Sequence, residues 1–279
     1  AASDNIYETL HSGQASINYK LTPALTSYMA GSYNQATSNS MAGGNVLGSD
    51  NKISAQNFAT DNTLAEVGLK YAPADSAWYV DGALFNQRRS LRNRDGSNTG
   101  ILTQGFESQA FYDATNYWFS VGYSYIDARY DNSASSQGAK QVSDIFDNSR
   151  PDIINGTAGG APNFTAFAPS TQRVQGIPEQ SVSVNGGMSI TPQWDIGLGA
   201  IYTKSYPLDY LATVYIRDQY TLNLNSRYVF NEQTALRLDI TNVTNQDNWR
   251  PVFEGGYFGA TLVYPELPIH GKLTFTYNF

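Results

Sequence analysis

The chain closes with Lys272-Leu273-Thr274-Phe275-Thr276-Tyr277-Asn278-Phe279. In an extended chain Leu273, Phe275, Tyr277 and Phe279 share one face, and Lys272, Thr274, Thr276 and Asn278 share the other. Free termini are usually polar and frayed. An aromatic residue at the last position, in strict alternation with polar ones, therefore implies a strand with one face against an apolar medium.

Followed back toward the start, the same period of two divides the sequence into eleven strands: 270–279, 233–243, 215–230, 193–204, 177–190, 116–128, 99–112, 77–88, 63–72, 24–34 and 13–21. Within them Trp194, Ile196, Leu198 and Ala200 oppose Asp195, Gly197 and Gly199, and Leu236, Leu238 and Ile240 oppose Arg237, Asp239 and Thr241. The mid-strand charges Glu66, Lys70, Asp81, Glu107, Asp195, Arg227, Arg237, Asp239 and Lys272 can all be phased onto the polar face. A Lys or Arg on a lipid-facing wall costs about 2–4 kcal/mol at the bilayer midplane, whereas a lumenal position is wet.

The connections alternate in length. Residues 21–24, 72–77, 113–116, 191–193 and 231–233 are tight turns, 89–98 is intermediate, and 35–62, 129–176, 205–214 and 244–269 are long and rich in Ser, Asn, Gly and Pro. Loops segregated by length to opposite ends are the pattern of a membrane barrel with periplasmic turns and extracellular loops. Tyr71, Trp78, Tyr112, Tyr117, Trp194 and Phe230 stand beside the short turns, where amphipathic rings reach the headgroup level. The expected fold class is all-β, a transmembrane antiparallel β-barrel.

Composition agrees. Aromatics make up 13% of the chain, with 20 tyrosines, and only 15% of residues are charged, against about 25% in ordinary globular chains. The mean hydropathy is nonetheless negative, at −0.39. No apolar run approaches the ~18 residues of a membrane helix, but a barrel strand crosses with about 9–11 alternating residues. There is no cysteine, and the net charge of −7 argues against a nucleic-acid partner. The first residues lack the charged n-region and apolar h-region of a signal peptide, as expected if it has been removed or if the chain is a fragment.

The terminal strand resembles the C-terminal signal of outer-membrane proteins, carried here by Leu273, Phe275, Tyr277 and Phe279. That resemblance implies recognition by the barrel-assembly machinery. Gly100–Glu107 (GILTQGFE), Gly176-Ile177-Pro178-Glu179-Gln180-Ser181, Thr241-Asn242-Val243-Thr244-Asn245 followed by Trp249, and Gly255-Gly256-Tyr257-Phe258-Gly259 resemble, in order and spacing, the C-terminal half of TonB-dependent outer-membrane receptors. Such receptors have 22 strands around a plug, so the resemblance implies a barrel segment over 1–279 without the plug. Counting eleven strands back from a periplasmic C-terminus puts residue 1 outside the cell. The even-strand rule of outer-membrane barrels then favours half of a larger barrel. The function implied is active transport of a scarce nutrient, a ferric siderophore being the commonest class, energised through the TonB complex acting on the plug. Neither a cofactor nor a resident metal is implied, and the expected location is the bacterial outer membrane.

Two groups of residues are ligand candidates at the extracellular end. Arg88, Arg89, Arg92 and Arg94 cluster in an acidic chain, and guanidinium groups suit carboxylate and phosphate. The plainer alternative is that they meet lipopolysaccharide phosphates or line the rim. Trp249, Arg250, Phe253, Tyr257, Phe258 and Tyr264 form an aromatic loop suited to a flat organic ligand, or to packing on itself. Enzymatic activity is not expected. His11 and His270 are the two histidines, and neither forms a triad with Ser181 or Ser205. Asp144, Asp147 and Asp152 suit a solvated acidic loop better than a calcium site. A passive porin, an autotransporter translocator and a soluble β-sandwich are the other readings of this pattern; a translocator would need a lumenal helix, and the first residues have no helical period.

Overall fold

The computed structural model describes residues 9–37, 59–92, 98–131, 141–142, 166–167, 173–208, 214–252 and 262–279. Eleven strands form one antiparallel sheet: β1 (Ser12–Lys20), β2 (Leu25–Thr37), β3 (Ala59–Tyr71), β4 (Trp78–Arg92), β5 (Asn98–Asp113), β6 (Tyr117–Asp131), β7 (Gln180–Thr191), β8 (Trp194–Thr203), β9 (Gln219–Val229), β10 (Thr234–Thr241) and β11 (His270–Tyr277). Each pairs with its neighbours in sequence, in the order β1 to β11. Three two-stranded ribbons stand outside the sheet, pairing Tyr206–Pro207 with Tyr215–Ile216, Trp249–Val252 with Leu262–Pro265, and Gln141–Val142 with Ala166–Phe167. No helix of the described chain is long and apolar enough to cross a membrane.

All eleven expected strands are present. They differ from expectation mainly at the loop end, where β3 begins at Ala59, β4 reaches Arg92 and β6 reaches Asp131. The expected strand over 215–230 is broken: Tyr215–Ile216 turns back on Tyr206–Pro207, and β9 begins only at Gln219. The turns at the other end are tied by side chains. Thr22 Oγ1 accepts from the amides of Ala24 (3.2 Å) and Leu25 (3.0 Å). Asn231 Oδ1 accepts from the amides of Gln233 (3.0 Å) and Thr234 (2.9 Å), as short polar residues do in tight turns.

Register assigns every side chain a face. One face carries Ile17, Met29, Val67, Leu84, Phe106 and Tyr125 in a single row across β1 to β6. A second row on that face runs Val121, Val184, Ala200, Leu222 across β6 to β9. At the turn end the face is ringed by aromatics: Trp78 lies 4.7 Å from Tyr112 and 5.4 Å from Phe119, Tyr228 is 4.9 Å from Phe230, and Tyr277 is 5.1 Å from Phe279. This is a lipid-facing wall with its interfacial girdle. The opposite face holds Lys70 across from Asp81, Asp195 across from Arg227, Arg227 across from Arg237, and Asp239 across from Lys272. All nine mid-strand charges fall on that lumenal face, as their phasing predicts.

The buried apolar residues of the described chain lie at the loop-end rim, at the upper ends of β5 and β6 and in the segments beyond the sheet, and not across its middle. Ile101, Ala128, Tyr130 and Val174 form one cluster, packed by Ile126 and Ile177, and Tyr206, Leu208 and Ile216 form another. A sheet with one face in lipid and one in a lumen needs no core of its own; the rim clusters fix the bases of its loops.

The two faces make a direct test. Val184→Arg on the lipid-facing row is expected to destabilise the membrane-inserted protein by about 2–4 kcal/mol, and Ser183→Arg, one residue away on the lumenal face, by under about 1 kcal/mol. Denaturant titration in phospholipid vesicles measures both, and equal costs would overturn the facing.

Candidate functional site

The sequence 241–249 builds a knuckle between β10 and the 249–265 ribbon. Asn242 and Asn245 have φ of 55° and 49°, the left-handed region that asparagine tolerates better than other side chains with a Cβ. Asn242 is 3% exposed. Its amide donates to Asn223 Oδ1 (3.0 Å), its Nδ2 donates to the carbonyls of Gln246 (2.9 Å) and Leu267 (3.3 Å), and its Oδ1 accepts from the Gln246 amide (2.9 Å). Asn245 Oδ1 accepts from the Ile269 amide (2.9 Å), tying the knuckle to the start of β11. Asn248, 4% exposed, donates from Nδ2 to the Tyr220 carbonyl (2.8 Å) and to Thr221 Oγ1 (2.9 Å). Its Oδ1 is buried with no hydrogen-bond partner among the described residues. The Trp249 amide donates to Gln219 Oε1. The asparagines are there because the backbone must reverse in a left-handed turn while its carbonyls and amides stay paired.

This knuckle walls a cavity of about 330 Å³ lined by Thr221, Thr241, Asn242, Arg250, Pro265, Glu266, Leu267 and His270. Register puts Thr221, Thr241 and His270 on the lumenal face at its loop end. His270 is held by a 2.9 Å contact from Nδ1 to the Pro268 carbonyl. Arg250, Glu266, His270 and two threonine hydroxyls offer ionic and neutral hydrogen bonding to a polar solute entering from the loop side. Among the described residues no group of His, Cys, Asp and Glu is arranged to hold a metal ion.

The arginine group divides. Arg88 pairs in register with Leu102 and faces outward, where its Nη2 reaches Asp131 at 2.6 Å. Arg89 pairs with Asn62 and Ile101 and faces the lumen. Arg92 ends β4, and Arg94 lies outside the described residues. Trp249 and Arg250 open the 249–265 ribbon, where Arg250 pairs with Tyr264; Phe253, Tyr257, Phe258, Asp144, Asp147 and Asp152 lie outside the described residues. Thr221, Thr241 and His270 carry no sequence signal as ligand residues, since register brings them to one cavity, and Glu266 reaches it through its amide bond to the Asn248 carbonyl (2.8 Å). Leu273, Phe275 and Tyr277 lie on the outward face of β11.

Gly176 of the Gly-Ile-Pro-Glu-Gln-Ser stretch has φ 77° and donates its amide to the Pro207 carbonyl (2.8 Å), joining the segment before β7 to the 206–216 ribbon. Beyond it Glu179 accepts from Lys204 Nζ (2.7 Å) and lies 3.9 Å from Arg173. The Lys204 hydrogen bond, aided by the Arg173 charge and opposed by burial, holds the Glu179 carboxyl below its ordinary range.

Two outcomes follow at the rim. Asn242→Ala is expected to lower hydrogen-exchange protection across 242–252 by about 2–4 kcal/mol, from lost hydrogen bonds and left-handed strain; Asn242→Gly, relieved of the strain, recovers about 1 kcal/mol of it. A glutamate whose folded pKa is depressed contributes stability above its unfolded value, about 4.3, and loses it as pH falls through the folded value. Exchange protection of the Lys204 amide, corrected for intrinsic rate, should therefore hold from pH 7 to 5 and drop only at more acid pH, with the step absent in Glu179→Gln.

No family model matches the chain. It is 25% identical over 256 residues to a probable TonB-dependent siderophore receptor, PiuA, of Acinetobacter baumannii, an alignment covering 88% of this chain and 31% of that protein. The crystal structure of the siderophore receptor PiuA from the same species superposes with a TM-score of 0.70 at 16% identity, over 95% of this chain and 35% of that one. The ferric yersiniabactin uptake receptor FyuA of Yersinia pestis gives 0.69 at 15% identity, over 96% and 37%, and the ferric citrate transporter FecA gives 0.68 at 15%, over 96% and 38%. The chain thus spans about a third of the length of the proteins it matches. With one sequence alignment over most of its length and the same sheet throughout, the chain has the fold of an outer-membrane β-barrel wall and is similar, over about a third of their length, to TonB-dependent receptors.

Proposed function

We propose that these eleven strands are the C-terminal half of the wall of a 22-strand barrel, and that the parent protein is an active-transport receptor for a scarce nutrient, a ferric siderophore, driven through the TonB complex acting on a plug. The observation that carries this reading is the alignment over 88% of the chain with a probable siderophore receptor. The lumenal cavity at the loop end adds to it: Arg250 and His270 lie where an anionic chelate would first meet the wall. Arg89 offers a second guanidinium to the same lumen. Trp249, and the loop residues Phe253, Tyr257 and Phe258 with Arg92 and Arg94, complete the proposed ligand group. The terminal strand engages the assembly machinery. No bond of the substrate is made or broken; the work is binding, and release driven by TonB.

Uptake of radiolabelled iron supplied as single purified chelates, in cells with and without the parent gene, tests this. One anionic chelate is expected to depend on the gene and to stop when the proton gradient is collapsed. Uptake that ignores the gradient, or that does not distinguish chelates, would favour a passive pore. Arg250→Ala and Arg89→Ala are each expected to weaken chelate binding about tenfold, the loss of one charge-assisted hydrogen bond of ~1.5 kcal/mol.

A further inference from the structure

The cavity at the lumenal mouth holds two opposite charges that do not meet. In the 249–265 ribbon Arg250 pairs with Tyr264, and the Glu266 amide continues the ladder by donating to the Asn248 carbonyl (2.8 Å). Side chains alternate along both strands, so Arg250 and Glu266 leave the same face as diagonal neighbours, their backbones about 7–8 Å apart. Both are exposed and both line the cavity. Among the described residues neither the guanidinium nor the carboxylate makes an ion pair or a hydrogen bond, although side chains of that length could reach each other. The neighbouring polar groups are directed as well. Thr221 Oγ1 accepts from Asn248 Nδ2 (2.9 Å), which leaves the Thr221 proton to donate elsewhere. His270 Nδ1 contacts the Pro268 carbonyl (2.9 Å). A carbonyl only accepts, so Nδ1 carries the proton and Nε2 is the acceptor of the neutral ring. Arg250 and Thr221 therefore donate into the cavity's polar set, and Glu266 and His270 accept.

We infer that this cavity takes a zwitterionic head, an ammonium and a carboxylate on one small group in the manner of an α-amino acid. Such a head bridges the gap between the two unpaired charges: Arg250 and Thr221 donate to its carboxylate, and Glu266 and His270 accept from its ammonium. A head that is only anionic meets the Glu266 carboxylate and is repelled, and one that is only cationic meets Arg250. Recognition of both charges is thus built from selection and exclusion together. The volume of about 330 Å³ stands at the low end of small-molecule clefts, about 300–1,000 Å³, so the cavity holds one end of a larger solute. The inference rests on the mouth site of the transport reading and narrows its substrate class: an anionic chelate accepted here displays an amino-acid head at its periphery.

The test uses the full-length parent protein in detergent and three probes that differ only in head charge: L-norleucine, N-acetyl-L-norleucine and L-norleucinamide, with binding read by saturation-transfer NMR. The wild type is expected to bind norleucine at least about tenfold more tightly than either capped form. Glu266→Gln is expected to remove the advantage over the N-acetyl form, and Arg250→Gln the advantage over the amide, each leaving the other advantage in place. Arg250→Lys is expected to keep most of the wild-type pattern. Equal wild-type binding of the three probes, or no binding of norleucine, would overturn the inference whether or not the variants assemble. So would a wild-type preference for the N-acetyl form, which would mark a plain anion site, or a folded Glu266→Gln variant with the wild-type pattern. Uptake in cells is scored separately. Gradient-driven chelate uptake without a zwitterion preference sinks this inference alone, and a zwitterion preference without gene-dependent uptake sinks the transport reading alone.

Discussion

Inside hydrocarbon no water is available to a backbone amide or carbonyl, so each must find its partner within the protein, and for strands that partner is the next strand. The sheet answers this with an unbroken chain of antiparallel pairings from β1 to β11. Once pairing is compulsory, alternation follows, because a strand hydrogen-bonded on both edges has only its two faces left for side chains. One face takes the lipid and the other the lumen. The placement of Lys70, Asp81, Arg227 and Lys272 is then a consequence of pairing, since a one-residue slip would turn each of them into the bilayer.

The rim works under other rules. There water is present, alternation relaxes, and specific contacts replace it. Asn242 and Asn245 let the chain reverse through left-handed turns, Gly176 does the same before β7, and two small apolar clusters anchor the bases of the connections. These devices position side chains from distant parts of the sequence. His270 and Thr221 meet in one cavity because β9, β10 and β11 are in register, and Arg250 joins them because the knuckle turns the following ribbon over that edge.

This division explains what could be read from the sequence. The strands were legible wherever lipid imposes period two: Leu236-Arg237-Leu238-Asp239-Ile240 admits one reading. Above the membrane the signal fades, and so the extensions of β3, β4 and β6 escape it. The 206–216 and 249–265 ribbons escape it as well, being held by Pro207, Ile216 and the buried asparagines and not by alternation. The arginine group shows the limit from the other side. Arg88 and Arg89 look like one feature when read as neighbours in sequence, yet the period that defines the strand sends them to opposite faces. Arg129 and Arg173 share a row with Arg88 only through register, across a connection of some forty residues that no local pattern spans.

The nearest-neighbour order of the strands has a consequence for how such a wall changes over evolutionary time. Because every strand touches only the strands before and after it in the chain, the two-strand hairpin is a self-contained unit of circumference. Duplication or loss of one hairpin leaves every other pairing and both faces intact, and alters only the girth of the closed structure. Long connections at one end can likewise lengthen or shorten without disturbing the wall, since none of them has to cross the sheet. A fold of this kind can keep its membrane fit constant while its mouth is rebuilt, and sequences far apart in composition can still superpose strand upon strand.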